Sequence, residues 1–227
     1  MVEREVQIQE TRARFIDEAK NFAKDLSSEK RKSEMRQLTL FSFLFVGAVA
    51  GRVALQFVPS VEPIIPLAIL AGLIFGPKEG FALGSGAYVA SNFFVWGLQG
   101  PWTLFQAIGA GLPAAIAGIW GKTKTPGKND LVLFSVLGTV FFELTMNFSG
   151  ALMMGGLIGF GLLTLPLYFL TSLPFSLMHI GSNAVFGKML SPLVSKWSGK
   201  KNEFEMVHIT RVAPGGKRSA VRLYRSK

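Results

Sequence analysis

The stretch from Glu62 to Gly121 admits few folds. It reads EPIIPLAILAGLIFGPKEGFALGSGAYVASNFFVWGLQGPWTLFQAIGAGLPAAIAGIWG, and its only charged residues are Glu62, Lys78 and Glu79. Three apolar segments are joined by two short Gly-Pro turns, FGPKEG and LQGPW. A water-soluble domain has no use for such a run. A bilayer requires one, because a spanning segment must be apolar and must satisfy its own backbone hydrogen bonds.

Composition supports a polytopic helical membrane protein. The chain is 49% hydrophobic and only 17% charged, and the charges concentrate at its two ends. It has no cysteine, which excludes disulfides and thiolate metal sites, and its two histidines lie far apart, so no metal site and no cofactor is expected. The net charge of +10 flanks apolar segments, the pattern of a chain facing anionic lipid rather than nucleic acid. The first apolar run follows a charged N-terminal stretch, so no signal peptide is expected.

Residues 1–37 read as a charged cytoplasmic segment. Within it Ile8, Phe15, Ile16, Ala19, Phe22, Ala23 and Leu26 recur at helical spacing and predict an amphipathic helix over 8–26. Ser27, Ser28 and the basic run Lys30-Arg31-Lys32 then lead to the membrane. Residues 38–196 predict six spans in one bundle, at about 38–58, 63–75, 80–97, 102–120, 131–154 and 166–194. The second is short and expected to tilt or to pack against its neighbours. The Gly-rich stretch 155–165 predicts a short outer-leaflet helix or a re-entrant turn, and Pro174 a kink in the last span. Residues 197–227 form a basic cytoplasmic tail, either a small hairpin around Ala213-Pro214-Gly215-Gly216 or an unstructured lipid-contacting segment. No internal repeat is visible.

Lysine and arginine fix the expected orientation. They lie in the N-terminal segment, at Lys78, at Lys122, Lys124 and Lys128, and after Lys188. The alternate connections 57–62, 97–102 and 153–165 carry none. The positive-inside rule then places both termini in the cytoplasm of a multi-pass cell-membrane protein.

Polar residues inside spans are costly, and are functional candidates for that reason. At about 1.5 Å per residue, Asn92, Gln106, Glu143 and Asn147 fall in the outer half of spans three to five. Ser172, Ser176, His179 and Asn183 share one face of span six. Arg52 stands near the outer end of span one and Glu62 starts span two; both are candidate solute contacts, and the competing roles of Arg52 are pairing with Glu62 or snorkelling to the interface. Trp96, Gln99 and Trp102 stand at the mouth. This predicts an outward-facing cavity for a polar, partly aromatic solute; the competing role is helix–helix hydrogen bonding. In span one, Gly47/Gly51 and Ala50/Ala54 are small-xxx-small pairs, suited to internal packing or to docking a partner helix.

Asn147-Phe148-Ser149-Gly150 with His179 partly resembles intramembrane serine proteases, but Asn147 stands where that family has glycine. A Ser–His pair would also need a shared depth and an oxyanion hole, so an enzyme is not expected.

The segment 62–121, with FGPKEGFALGSG, SNFF and QGPW, resembles the substrate-binding (S) components of energy-coupling factor (ECF) vitamin transporters, closest to their cobalamin-type branch. In span six, Ser172-Leu173-Pro174-Phe175, His179 and Ser182-Asn183-Ala184-Val185-Phe186 are similar to that branch's last helix. In span one, Ala50-x-x-x-Ala54 resembles the signature by which S components contact the coupling subunit. The resemblance covers about residues 40–195. It implies a six-helix S component that captures a vitamin-like solute from outside. Its partners would be a transmembrane coupling subunit and two cytoplasmic ATPases, whose work topples the S component in the lipid bilayer. Ser176 stands where the cobalamin-type branch is expected to carry an acid, and the charged N-terminal helix and basic tail are extra. A corrinoid, a flavin, a pterin and a nucleobase-like solute all stay open. The alternatives are a stand-alone small transporter or channel, and a structural membrane protein that binds no solute.

Overall fold

The computed structural model describes residues 2–95, 100–155, 161–204, 208–212 and 218–222. These hold six helices and one two-stranded hairpin: α1 Val2–Leu55, α2 Ile64–Phe75, α3 Pro77–Ser91, α4 Trp102–Thr123, α5 Lys128–Gly155, α6 Gly161–Phe204, β1 His208–Val212 and β2 Arg218–Arg222. The chain divides into two units, Met1–Phe43 and Leu44–Lys227.

In the first unit the charged segment is one uninterrupted helix. The helix expected over 8–26 does not end there but continues through Ser27 and Ser28, whose hydroxyls bond back to their own helix, Ser27 Oγ to the Lys24 carbonyl at 2.7 Å and Ser28 Oγ to the Asp25 carbonyl at 3.0 Å. Both residues are tolerated in a helix interior when they bond this way. Ile16 and Phe22, on the apolar stripe, are exposed.

In the second unit, α2 is the hub. It touches α3, α4, α5 and α6, and Ile64 through Leu73 are all buried. Its apolar residues surround the whole helix, as a fully enclosed helix requires. Gly76 ends it at φ 126°, a conformation open to glycine but strained for other residues. Pro77 then opens α3, where a missing N–H costs nothing, and Glu79 sits in the first turn of the helix dipole.

Close packing of α2, α3 and α4 rests on glycine. A Cβ at Gly118 would lie 2.5 Å from the Pro77 nitrogen, one at Gly121 2.5 Å from the Leu73 carbonyl, and one at Gly80 2.6 Å from the Ala114 carbonyl. Gly72 lies against that same Ala114 carbonyl. Such spacing is how helices approach where no water drives them together.

Among the described residues, three helical segments are long and apolar enough to cross a membrane: Ala19–Leu55, Trp102–Thr123 and Lys128–Met153; Ile64–Phe75 is apolar but shorter. The outer surface agrees with a membrane protein. Leu104, Ile116, Leu137, Leu144, Leu170 and Leu177 are all exposed, far more apolar surface than a water-soluble monomer tolerates.

Span boundaries shift in three places. The third segment begins at Pro77 and ends at Ser91, earlier at both ends than 80–97. The last helix extends well beyond 166–194 in both directions and runs through Pro166, Pro174 and Pro192. The Gly-rich stretch divides between the end of α5 and the start of α6, and residues 156–160 lie outside the described residues. The tail adopts the hairpin, with His208 paired to Arg222 and Val212 to Arg218.

Candidate functional site: a polar cluster beneath a small cavity

At 12 and 15 residues, α2 and α3 are only about 18 and 22 Å long at 1.5 Å per residue. The α1–α2 connection enters α2 at the end of the bundle where α3 stops. The polar residues gather at that end.

Arg52, in the last turn of α1, is the first anchor. Its Nε lies 2.9 Å from Glu62 Oε2, with both side chains 11% exposed. Its Nη1 donates to Ser91 Oγ at 2.6 Å and to Asn92 Oδ1 at 2.5 Å. The guanidinium also stacks over Tyr88, 4.6 Å from the ring centroid, a favourable cation–π geometry. Asn92 caps α3 rather than lying inside a helix. Its Nδ2 donates to Thr103 Oγ1 and to Gln106 Oε1, each at 2.8 Å.

The second anchor is His179 on α6. Its Nδ1 lies 2.6 Å from Glu143 Oε1 on α5, and its Nε2 lies 3.5 Å from Glu62 Oε1. Ser176 Oγ donates to the other Glu143 oxygen at 2.5 Å. Tyr88 donates its hydroxyl proton to Glu62. Phe142 packs between these groups, stacked on Tyr88 at 5.0 Å and edge-on to His179 at 5.5 Å. Gln106, Asn92, Arg52, Glu62, His179, Glu143 and Ser176 thus form one connected chain across five helices and the α1–α2 connection.

A cavity of about 220 Å³ opens beside this chain. It is lined by Arg52, Leu55, Gln56, Val58, Ser60, Val61, Glu62 and Val95. Among the residues singled out from the sequence, Arg52 and Glu62 border it.

Other singled-out residues are engaged elsewhere. Asn147 Nδ2 donates to the Glu143 carbonyl of its own helix at 3.0 Å. Asn183 pairs with Thr139 at 2.9 Å, one turn further along the α5–α6 seam. Ser172 bonds back to Phe169 at 3.3 Å. Trp102 is half-buried at the start of α4. Trp96 and Gln99 lie outside the described residues. Ser149 donates to the Met146 carbonyl at 2.8 Å, whereas His179 is committed to Glu143, so no Ser–His pair forms. Among the described residues, no group of three or more His, Asp or Glu side chains is placed to hold a metal.

Sequence reasoning missed Tyr88, Ser91, Thr103 and Thr139. Tyr88 had a signal, since it stands one turn before Asn92 on the same face. The others are hydroxyls that sequence spacing alone does not separate from back-bonded ones.

The α1 face is also resolved. Leu44 and Ala48 are buried, and a Cβ at Gly51 would meet Pro63 at 2.5 Å. Gly47, Ala50 and Ala54 are exposed, and Gly47 has open space beside it. The small residues therefore divide: Gly51 serves internal packing, and Gly47, Ala50 and Ala54 share an outward stripe.

No protein-family model, no curated protein and no solved structure matches this chain.

Proposed function

We propose that this chain is the membrane-embedded substrate-binding subunit of an ECF-type importer. In this reading it spans the membrane six times with both termini in the cytoplasm. It captures a vitamin or related micronutrient, a corrinoid among the candidates, and delivers it inward with a transmembrane coupling subunit and two ATPases. The observation that carries the proposal is the cavity bordered by Arg52 and Glu62 above a buried, multi-helix polar cluster. Intramembrane charges arranged at such a cavity favour solute handling over simple adhesion between helices. The outward Gly47, Ala50 and Ala54 stripe supports the partner half of the reading, because small exposed residues let another helix come close.

The test is direct. The protein is purified in mild detergent, and co-purifying small molecules are identified by mass spectrometry and absorbance. A vitamin panel is then screened by thermal melting. A ligand present at 100 times its Kd stabilises by about 2.7 kcal/mol, so a true solute raises the melting temperature clearly. No bound molecule and no stabilising vitamin would turn the assignment toward a structural protein. Solute binding without any complex with a coupling module would turn it toward a stand-alone transporter.

A further inference from the structure

Charge balance in the polar cluster leads to a property that the transport assignment does not contain. Two carboxylates, Glu62 and Glu143, face one guanidinium, Arg52. Arg52 contacts Glu62 at 2.9 Å. Glu143 has no guanidinium or ammonium partner among the described residues; it has the Ser176 hydroxyl and the His179 ring. With a neutral imidazole, one negative charge stays unbalanced in a site that is largely out of water. Burying an uncompensated carboxylate costs several kcal/mol.

The imidazole stands between both acids. Nδ1 is 2.6 Å from Glu143 and Nε2 is 3.5 Å from Glu62, and the side chain is only 4% exposed. A neutral ring donates from one nitrogen only. Nδ1 is within hydrogen-bond distance of Glu143, while Nε2 is buried without a hydrogen-bond partner and meets Glu62 as a charge contact at 3.5 Å. The groups that face this arrangement are Arg52 from α1, Glu62 from the α1–α2 connection, Tyr88 from α3 and Glu143 from α5. From α4 come the neutral Thr103 and Gln106, acting through Asn92. No second cation enters from any of them.

We infer that Glu62, His179 and Glu143 together bind one exchangeable proton, which neutralises the cluster and is reached from the cavity through Glu62. Uptake adds one proton to the imidazole, and release returns it to water at the cavity wall; no other bond changes. A solute in the cavity therefore meets a wall whose charge depends on that proton. The inference stands without the importer assignment, since it concerns the chain alone.

The experiment uses the full chain with His208→Gln, which leaves His179 as the single histidine, labelled with ¹⁵N and studied in detergent by NMR. At neutral pH the two ring nitrogens are expected to resonate close together, as in imidazolium. Glu143→Gln and Glu62→Gln each remove one negative charge, and each is expected to return a neutral ring with widely separated nitrogen signals. Ser176→Ala removes a hydrogen bond but no charge, and should keep the charged ring. Circular dichroism checks that each variant is folded. A neutral ring in the parent protein at neutral pH would overturn the inference. So would a charged ring that persists in both Gln variants.

Discussion

The two ends of the helix bundle are held by different physics. At one end α2, α3 and α4 meet through Gly72, Gly80, Gly118 and Gly121, backbone against backbone. At the other, Arg52, Glu62, Asn92, Glu143 and His179 join helices by charge and hydrogen bond. At the glycine end an added Cβ would overlap backbone at each of these four positions. The polar end has a cavity of about 220 Å³ beside it, bordered by Arg52 and Glu62. Close backbone packing thus lies opposite the end where the buried charges and the cavity meet.

The contrast can be broken from either side. The largest effect is expected at the glycine end, where Gly118→Val drives side-chain carbon into the Pro77 backbone nitrogen. Overpacking of this kind costs about 3 kcal/mol or more, so size-exclusion chromatography should recover little folded protein. Second is Glu143→Ala, which leaves Ser176 and His179 without their acceptor. Breaking a buried charged pair costs about 3 kcal/mol. Melting temperature reports that loss, and a melting temperature equal to the parent's would show that Glu143 is not holding α5 to α6.

Third is Asn92→Leu. It strips a partner from Arg52, Thr103 and Gln106, at about 1–3 kcal/mol for buried groups left unsatisfied. Here the sharper readout is solute affinity, because Arg52 loses an anchor while still bordering the cavity. The smallest stability effect is expected at the outward stripe of α1. Ala50→Trp should change stability by no more than about 0.5 kcal/mol, as exposed substitutions do; under the proposed importer function it should also abolish co-purification with a coexpressed coupling subunit. A complex that survives Ala50→Trp and Ala54→Trp would remove this stripe as the docking face.

Much of the scaffold was legible in the chain itself. The apolar run with three charges marked α2, α3 and α4, and Gly-Pro marked the turn between α2 and α3. Helical spacing put His179 and Asn183 on one face, and both are buried. Two things misled. Apolarity continued past Ser91, so α3 was read too long, because composition does not reveal where a helix stops inside protein. The N-terminal helix was read as ending at Leu26, but it runs on through Ser27 and Ser28, whose hydroxyls fold back onto it.

The candidate site was legible as a set of residues, not as an arrangement. Arg52 and Glu62 carry opposite charges and close spacing, so their pairing was foreseeable. Nothing in the sequence separates Asn147, which bonds its own helix, from Asn92, which links three helices. Both are asparagines at equivalent depth.

The sequence by itself determined that the chain is helical and apolar enough for a membrane, since hydropathy and backbone satisfaction are local demands. It also marked several of the polar groups that are buried, Glu62, Asn92, Gln106, Asn147, Ser176, His179 and Asn183. Only the tertiary structure decided which of them meet. Hydrogen bonds between Arg52 and Asn92, or between His179 and Glu143, depend on distances of a few tenths of an ångström between residues about forty positions apart. Helix rotation and crossing set those distances, and the glycine contacts at the far end of the bundle hold them.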